Sequence, residues 1–283
     1  MIKEITTFQK NKNFLICIDS DGCAIDGMTI KHKECFGPSL IEEWKLQPYE
    51  NKILSYWNHI NLYSMSRGIN RFKGLLLALD YINESGYAQI DTAVLKEWIN
   101  TTKELSNKSL EQEIALKDNE VLKKALNWSN RVNEKVESLP PEKKLAFEGV
   151  TESLKEASQY ADIAVVSSAN LQAVEEEWSS NHIIDYVDVV MTQENGSKSD
   201  CIKQMLKFGY DNKNVLMIGD ALGDINAAKD SNVLYYPILV NQEIYSWKRF
   251  RDTILNSFLQ NRYEEKWMEL CKKEFEENLS HNK

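Results

Sequence analysis

Glycine and proline are scarce in this sequence. The chain of 283 residues contains 11 glycines and 5 prolines, well below the roughly 7% and 5% found in ordinary globular proteins. Because both residue types interrupt helices and form tight turns, their shortage predicts long helices joined by few turns. The few glycines that do occur mark places where the backbone needs an unusual conformation.

Positive charge is also under-represented. The sequence has 34 Lys and Arg against 43 Asp and Glu, which gives a net charge of −9. A nucleic-acid-binding protein needs a basic face that displaces counterions from phosphates, so this balance argues against nucleic acid as a partner. We expect a small-molecule or protein partner instead, and the sequence leaves the oligomeric state open.

Cysteine motifs and long apolar runs are missing as well. The five cysteines are scattered, odd in number and without a C-x-x-C pair, which argues against a disulfide framework or a zinc site. The first residues contain no apolar signal-peptide core, and no apolar run approaches the roughly 18 residues of a membrane span. We therefore expect a cytoplasmic protein that does not associate with membranes.

Five short apolar runs predict the strands of a parallel sheet, since each ends in polar residues or proline as doubly buried strands do. The runs lie at residues 13–19, 162–168, 186–192, 214–220 and 232–238. Helix-like stretches lie between the later runs at residues 170–180, 197–208 and 223–230. Strand and helix alternating at this pitch indicate an α/β fold with a doubly wound, Rossmann-like sheet, whose ligands bind at the carboxyl ends of the strands.

The chain between the first and second runs contains no convincing strand and shows the spacing of amphipathic helices. We therefore expect an inserted all-helical domain. Pro140 and Pro141 are predicted to end one helix and to begin the next. The expected organisation is a core formed by residues 1–26 and 145–240, a helical insertion at 27–144, and charged amphipathic helices at 241–283 packed on the core.

Acidic residues follow two of the predicted strands. Asp19 and Asp21 come directly after the first strand, with Gly22 allowing the chain to turn, and Asp220 and Asp224 follow the fourth. An acid-rich turn is the alternative for the first pair, and a helix cap is the alternative for Asp224. If the two strands are neighbours, the carboxylates converge and repel one another unless a cation or shared protons compensate. Oxygen ligands suit Mg²⁺, which in turn suits a phosphate-bearing substrate.

Two further groups of polar residues lie at equivalent edges. Ser167 ends the second strand and is followed by Ser168 and Asn170, which form either an anion site or a helix cap. Lys198 lies at the start of a helix after the third strand, where the helix dipole disfavours a cation. An exposed surface lysine is the alternative there.

Taken together, these segments resemble a known family. The sequences DSDG at 19–22, VVSS at 165–168, Lys198 within GSKSD, and GDALGD at 219–224 are similar to the four motifs of the haloacid dehalogenase superfamily, in its phosphatase branch. The resemblance covers the core of the chain. It implies that Asp19 is the nucleophile that forms an aspartyl-phosphate and that Asp21 is the general acid and base.

The same resemblance implies roles for the remaining motif residues. Ser167 would hold a phosphoryl oxygen, and Lys198 would neutralise the nucleophile and the phosphoryl group. The implied cofactor is Mg²⁺, with a ligand set that comprises Asp19, Asp21 through its backbone carbonyl, Asp220 and Asp224. Ser168 and Asn170 are candidates for further substrate contacts.

In this family an insertion between the first two motifs is a C1-type cap, a helical lid that carries specificity. The segment 66–74 concentrates three cations in an acidic protein, so we expect Arg67 and Arg71 to bind a second anionic group of the substrate. An ordinary basic loop paired with surface Glu is the alternative. The cap tryptophans are expected in its core.

The leading functional hypothesis is a Mg²⁺-dependent phosphatase that acts on a small phosphorylated metabolite of the cytosol. A sugar phosphomutase resembling β-phosphoglucomutase would use the same aspartyl-phosphate, and the motifs do not separate the two. A non-catalytic regulatory relative is the third possibility, and the retention of every chemical position argues against it.

Overall fold

The structure, a computed structural model, describes residues 4–263 and 265–281 of the chain. The described chain divides into two compact units. The sheet unit combines the residues up to Met28 with those from Pro141 onward, and the helical unit is Thr29–Pro140. No helix in the described ranges combines the length and apolar character needed to cross a bilayer.

Five parallel strands form the sheet, in the order β3-β2-β1-β4-β5. They are β1 (Phe14–Ile18), β2 (Ala161–Val166), β3 (Val189–Met191), β4 (Val215–Gly219) and β5 (Leu234–Pro237). Every residue of β2, β3 and β4 is buried, which is why these strands appear in the sequence as continuous apolar runs. The predicted doubly wound α/β fold is confirmed.

The central strand β1 pairs with β2 on one side and with β4 on the other. Ile18, its last residue, lies opposite Val165 and Ile218 in register. The chain therefore leaves these three strands at the same edge of the sheet. In a doubly wound sheet the connections diverge at this edge and open a crevice for a ligand.

Helices make up the regular structure of the described helical unit. They are α1 (Met28–Ile30), which begins at the boundary, α2 (Gly37–Trp44), α3 (Glu50–Leu62), α4 (Arg71–Glu84), α5 (Ala93–Thr101), α6 (Asn107–Lys117) and α7 (Glu120–Glu137). A π-helical segment, Lys31–Phe36, joins α1 to α2. Trp57, Trp98 and Trp128 are buried in the core of this unit and pack edge-on against Phe36 or Phe72 or against each other, in line with the expectation for the cap tryptophans.

The helices of the sheet unit are α8 (Val150–Ala157), α9 (Leu171–Ser180), α10 (Lys198–Leu206), α11 (Leu222–Asp230), α12 (Glu243–Arg249), α13 (Leu255–Leu259) and α14 (Glu265–His281). A π-helical segment, Phe250–Ile254, joins α12 to α13. The C-terminal segment is tied to β5, because the Tyr263 hydroxyl donates to the Tyr235 carbonyl at 2.8 Å. The side chain of Asn278 also donates to the Val240 carbonyl at 3.1 Å.

The chain that leads into α8 differs from the sequence-based expectation. Pro141 begins only a short 3₁₀ turn, Pro141–Lys143, and α8 starts at Val150, after Gly149 with φ of +92°. The intervening backbone is engaged elsewhere, since Asn181 accepts from the Ala146 N–H at 2.7 Å and donates to the Lys144 carbonyl at 2.9 Å. These long-range hydrogen bonds engage the backbone of the segment outside a helix, so the helix predicted from Pro141 onward starts only at Val150.

Candidate active site

Asp19 occupies the first position after β1 and is buried, with 6% of its surface exposed. Its N–H donates to the Ile218 carbonyl at 2.9 Å, which extends the pairing with β4 by one residue. One carboxylate oxygen, Oδ1, accepts from the Ser20 N–H at 2.8 Å. The other, Oδ2, lies 2.8 Å from Nζ of Lys198. Both oxygens are therefore held in a defined orientation at the carboxyl edge of the sheet.

A tight turn follows the buried aspartate. The Ser20 carbonyl accepts the N–H groups of Cys23, Ala24 and Ile25, at 2.9 to 3.3 Å. Gly22 has φ of +83°, a conformation that a side chain disfavours, and its N–H donates to the Ile25 carbonyl at 2.8 Å. This turn explains why a glycine stands directly after the two acids.

Two buried tryptophans hold this turn in place. Trp178 of α9 donates from its indole N–H to Oγ of Ser20 at 2.8 Å, and Trp247 of α12 donates to the Cys23 carbonyl at 2.9 Å. Neither residue was among the sequence-based candidates. No local signal identifies them, because Trp178 and Trp247 meet the turn only through folding.

The end of β4 supplies two more buried carboxylates. Asp220 and Asp224 are 1% and 0% exposed. Asp224 accepts from the Ala221 N–H at 3.0 Å and so caps α11, and its other oxygen lies 2.5 Å from Nζ of Lys198. Gly219 makes this arrangement possible, because a Cβ there would lie 2.2 Å from Cγ of Asp224. Asp224 thus caps the helix and also contacts the lysine.

Lys198 is the first residue of α10, and its ammonium group bridges Asp19 and Asp224. Only 14% of its side chain is exposed. Burial disfavours the charged lysine, but the attraction of Asp19 and Asp224 outweighs it and raises the Lys198 pKa above the usual range. The carboxylates explain a cation at a helix start, and Lys198 is not the exposed surface lysine of the alternative interpretation.

The buried carboxylates strongly influence one another. Burial raises the pKa of the Asp19 carboxyl well above its ordinary value, Lys198 opposes this rise, and the charges of Asp224 and Asp220 add to it. An oxygen from each of these three acids lies within 4.8 Å of the others. A bound cation would stabilise three buried carboxylates that lie this close together. A compact set of buried oxygen donors fits a hard divalent ion such as Mg²⁺.

Asp21 is half-buried in the turn, where it forms an isolated backbone bridge with Ile25. Its carboxylate is not one of the three clustered in the described structure. The sequence places Asp21 two residues after Asp19, and its roles as acid, base and ligand remain predictions.

Ser167 follows β2 and is buried, with 3% of its surface exposed. Its Oγ accepts from the Ala169 N–H at 3.1 Å, which leaves the hydroxyl hydrogen available for donation. Asn170 caps α9, since its side chain accepts from the Ala173 N–H at 2.8 Å. Ser168 and Asn170 are both exposed. The helix-cap interpretation therefore describes Asn170, while Ser167 keeps a donor at the carboxyl edge.

The two cap arginines lie in the helical unit. Arg67 is buried and donates from Nη1 to the Leu62 carbonyl at 2.8 Å. Arg71 is half-buried and contacts α7. Arg67 lies in the segment between α3 and α4, and Arg71 is the first residue of α4. The binding of a second anionic group of the substrate by these two arginines stays a prediction.

A family model described as haloacid dehalogenase-like hydrolase matches residues 69–236, more than half of the chain. The matched range includes Ser167, Lys198 and both acids after β4, and it begins after Asp19 and Asp21. A search of curated proteins finds no significant match.

Several solved structures are similar. A proposed phosphoglycolate phosphatase from Lactobacillus delbrueckii is 15% identical, with a TM-score of 0.51 over 80% of this chain and 86% of that one. A proposed hydrolase of the haloacid dehalogenase type from Bacillus subtilis, bound to magnesium, is 12% identical, with a TM-score of 0.47 over 81% and 87%. A proposed β-phosphoglucomutase from Thermotoga maritima is 15% identical, with a TM-score of 0.40 over 79% and 84%. Because the Lactobacillus protein is only 15% identical to this chain, the similarity between the two shows a shared fold and nothing further.

Proposed function

Because the chain belongs to the haloacid dehalogenase-like hydrolases, we propose that it is a Mg²⁺-dependent phosphatase of small phosphomonoesters. The observation that carries the proposal is the buried Asp19 carboxylate, which Lys198 holds at 2.8 Å beside two further buried carboxylates. A carboxylate at a strand end, oriented by a cation and largely removed from water, is suited to attack phosphorus.

In the first half-reaction, an oxygen of Asp19 attacks the phosphorus atom of the substrate. The bond between phosphorus and the ester oxygen breaks, and Asp21 donates a proton to the departing alkoxide. Lys198 compensates negative charge on the nucleophile and on the transferring group. The Ser167 hydroxyl donates a hydrogen bond to a phosphoryl oxygen. The product of this step is an aspartyl-phosphate on Asp19.

In the second half-reaction, Asp21 takes a proton from a water molecule that attacks the same phosphorus. The acyl-phosphate bond breaks, inorganic phosphate leaves, and Asp19 returns as a carboxylate. The cation held by Asp19 and Asp220 would supply charge compensation for the phosphoryl oxygens. Because Asp224 already contacts Lys198 and the Ala221 N–H, its main contribution in this scheme is to position the lysine.

The test is phosphate release from p-nitrophenyl phosphate, with Mg²⁺ present and with EDTA. We expect activity that requires the cation and falls at least a thousandfold in Asp19→Asn, because the amide is a poor nucleophile. Asp230→Asn is the matched control, since Asp230 is exposed at the other end of α11, and this variant should retain full activity. Unchanged turnover in Asp19→Asn would refute the mechanism.

A second assay, with sugar phosphates as substrates, separates the phosphatase from the mutase that the motifs also allow. Incubation with a bisphosphorylated sugar and a sugar monophosphate should release inorganic phosphate if the enzyme is a phosphatase. Interconversion of the sugar phosphates without net phosphate release would identify a mutase instead. A panel of phosphorylated metabolites, with phosphoglycolate included, would then define the substrate.

A further inference from the structure

Arg71 has a neutral environment that does not compensate its charge. It is the first residue of α4, the end of a helix where the dipole disfavours a cation. Its Nη1 atom donates to Oδ1 of Asn133 at 2.6 Å, to Oγ of Ser129 at 3.0 Å and to the Ser129 carbonyl at 3.4 Å. Within the described chain no carboxylate lies within ion-pair distance of Arg71, and burial lowers its pKa to about 10.

The guanidinium edge formed by Nε and Nη2 of Arg71 makes no hydrogen bond to the described residues. All side-chain hydrogen bonds of Arg71 to the described residues involve Nη1, so Nε and Nη2 keep their donors. These two atoms present the parallel N–H fork that binds both oxygens of a carboxylate or phosphate group. The Phe36 ring, with its centroid 5.2 Å from Cζ of Arg71, supports the guanidinium plane. The hydrogen bonds of Nη1 and the contact with Phe36 therefore fix the orientation of this fork in the absence of a ligand.

Arg71 and two further cations, Arg67 and Lys31, act on a histidine of the helical unit, His32. His32 stacks on Phe36 with ring centroids 4.7 Å apart. Its pKa is lowered to about 3, first by burial and then by the charges of Arg67, Arg71 and Lys31. Both Arg67 and Lys31 are buried. A protein with a net charge of −9 thus gathers three cations around a neutral histidine in one small region. Among these cations, Arg71 is the one whose described contacts are all to neutral groups, and a bound anion would stabilise its charge.

We propose that the Nε and Nη2 edge of Arg71 binds a small oxyanion, a carboxylate or phosphate group, within the helical unit. The neutral contacts to Ser129 and Asn133 orient the guanidinium, and the anion supplies the missing negative charge. The oxyanion is either a separate small molecule or a second acidic group of the substrate, and the latter assignment rests on the proposed phosphatase function.

Binding is tested on the full chain with malonate, titrated by calorimetry in the presence of EDTA. Arg71→Met keeps the volume of the side chain and removes the fork, so its affinity should fall roughly tenfold to a hundredfold. Arg71→Lys keeps the charge without the fork and should weaken binding about tenfold. Arg131→Met is the matched control, because Arg131 already pairs with Glu42 and Glu43, and it should bind malonate as the wild type does.

A fourth variant excludes the acidic site at the sheet edge as the source of binding. Lys198→Gln removes the cation there and should leave the malonate affinity unchanged. Equal affinity in the wild type and in Arg71→Met, or loss of binding in Lys198→Gln alone, would overturn the proposal. Malonate should also raise the melting temperature of the wild type but not that of Arg71→Met, which separates anion binding from a purely structural role of the arginine.

Kinetics distinguish the two sources of the anion. If it belongs to the substrate, Arg71→Met should raise KM for phosphoglycolate at least tenfold and leave KM for uncharged-tail esters such as glycerol phosphate unchanged. If it is a separate anion, KM for both esters should be unchanged, and malonate should alter the rate of the wild type alone. The calorimetric result stands even if the protein releases no phosphate, so failure of the proposed function and failure of this site are distinguishable.

Discussion

The helical unit should lose stability in mild acid because of one histidine. Nδ1 of His32 accepts the indole N–H of Trp57 at 3.2 Å, so this nitrogen carries no proton in the folded protein. Burial, followed by the charges of Arg67, Arg71 and Lys31, lowers the His32 pKa from 6.5 to about 3. Protonation would break the hydrogen bond and add a fourth positive charge to this region.

The sign and size of the effect follow from proton linkage. Between pH 6.5 and about 3 the unfolded chain binds a proton at His32 that the folded chain excludes, so stability is complete above pH 6.5 and falls as the pH drops. Each pH unit in this window costs up to about 1.4 kcal/mol. From pH 8 to pH 5 the loss is about 2 kcal/mol, an upper value because His32 keeps some exposed surface.

The assay is urea unfolding between pH 5 and pH 8, with the helical unit followed by hydrogen-exchange mass spectrometry. His32→Asn places a non-titrating acceptor near the position of Nδ1, so this variant should lose about 2 kcal/mol of the pH dependence. The exposed His182 in the sheet unit provides the matched control, His182→Asn. If the wild type and His32→Asn show the same pH dependence in the helical unit, the argument from His32 is wrong.

Two further substitutions test how the sheet unit supports the acidic site. Trp247→Phe removes the hydrogen bond to the Cys23 carbonyl. It should lower the free energy of unfolding by about 2 kcal/mol and lower kcat at least tenfold. Its control is Trp98→Phe, which loses a hydrogen bond to Ser109 in the helical unit and should lower stability but not kcat. Gly219→Ala forces the new Cβ against Asp224 and should abolish measurable phosphate release. In Gly223→Ala the Cβ meets no atom within 4 Å, so this control should remain active and gain up to about 1 kcal/mol of stability. Inactive Gly223→Ala, or fully active Trp247→Phe, would contradict this reasoning.

The sheet and the acidic site were predictable because the signals are local. A strand buried on both faces needs a continuous apolar run, so β1 to β5 are visible in the sequence as such runs. Parallel strands end at one edge, and polar residues placed directly after them must therefore lie close together. Asp19, Lys198 and Asp224 do lie together, since Nζ of Lys198 is 2.8 Å from Oδ2 of Asp19 and 2.5 Å from Oδ1 of Asp224.

The sequence could not reveal the supports of that site or the environment of the cap arginines. Trp247 contacts the carbonyl of a residue 224 positions away, and the non-helical chain before α8 depends on the side chain of Asn181, directly after α9. Arg71 is one of several cations in its segment, and only folding sets it against neutral partners with an unused edge. Burial and hydrogen bonding between distant segments decide these features, because both depend on which surfaces meet after the chain has folded. The strand runs and the acids that follow them depend on neighbouring residues alone, and the amino-acid sequence determines them by itself.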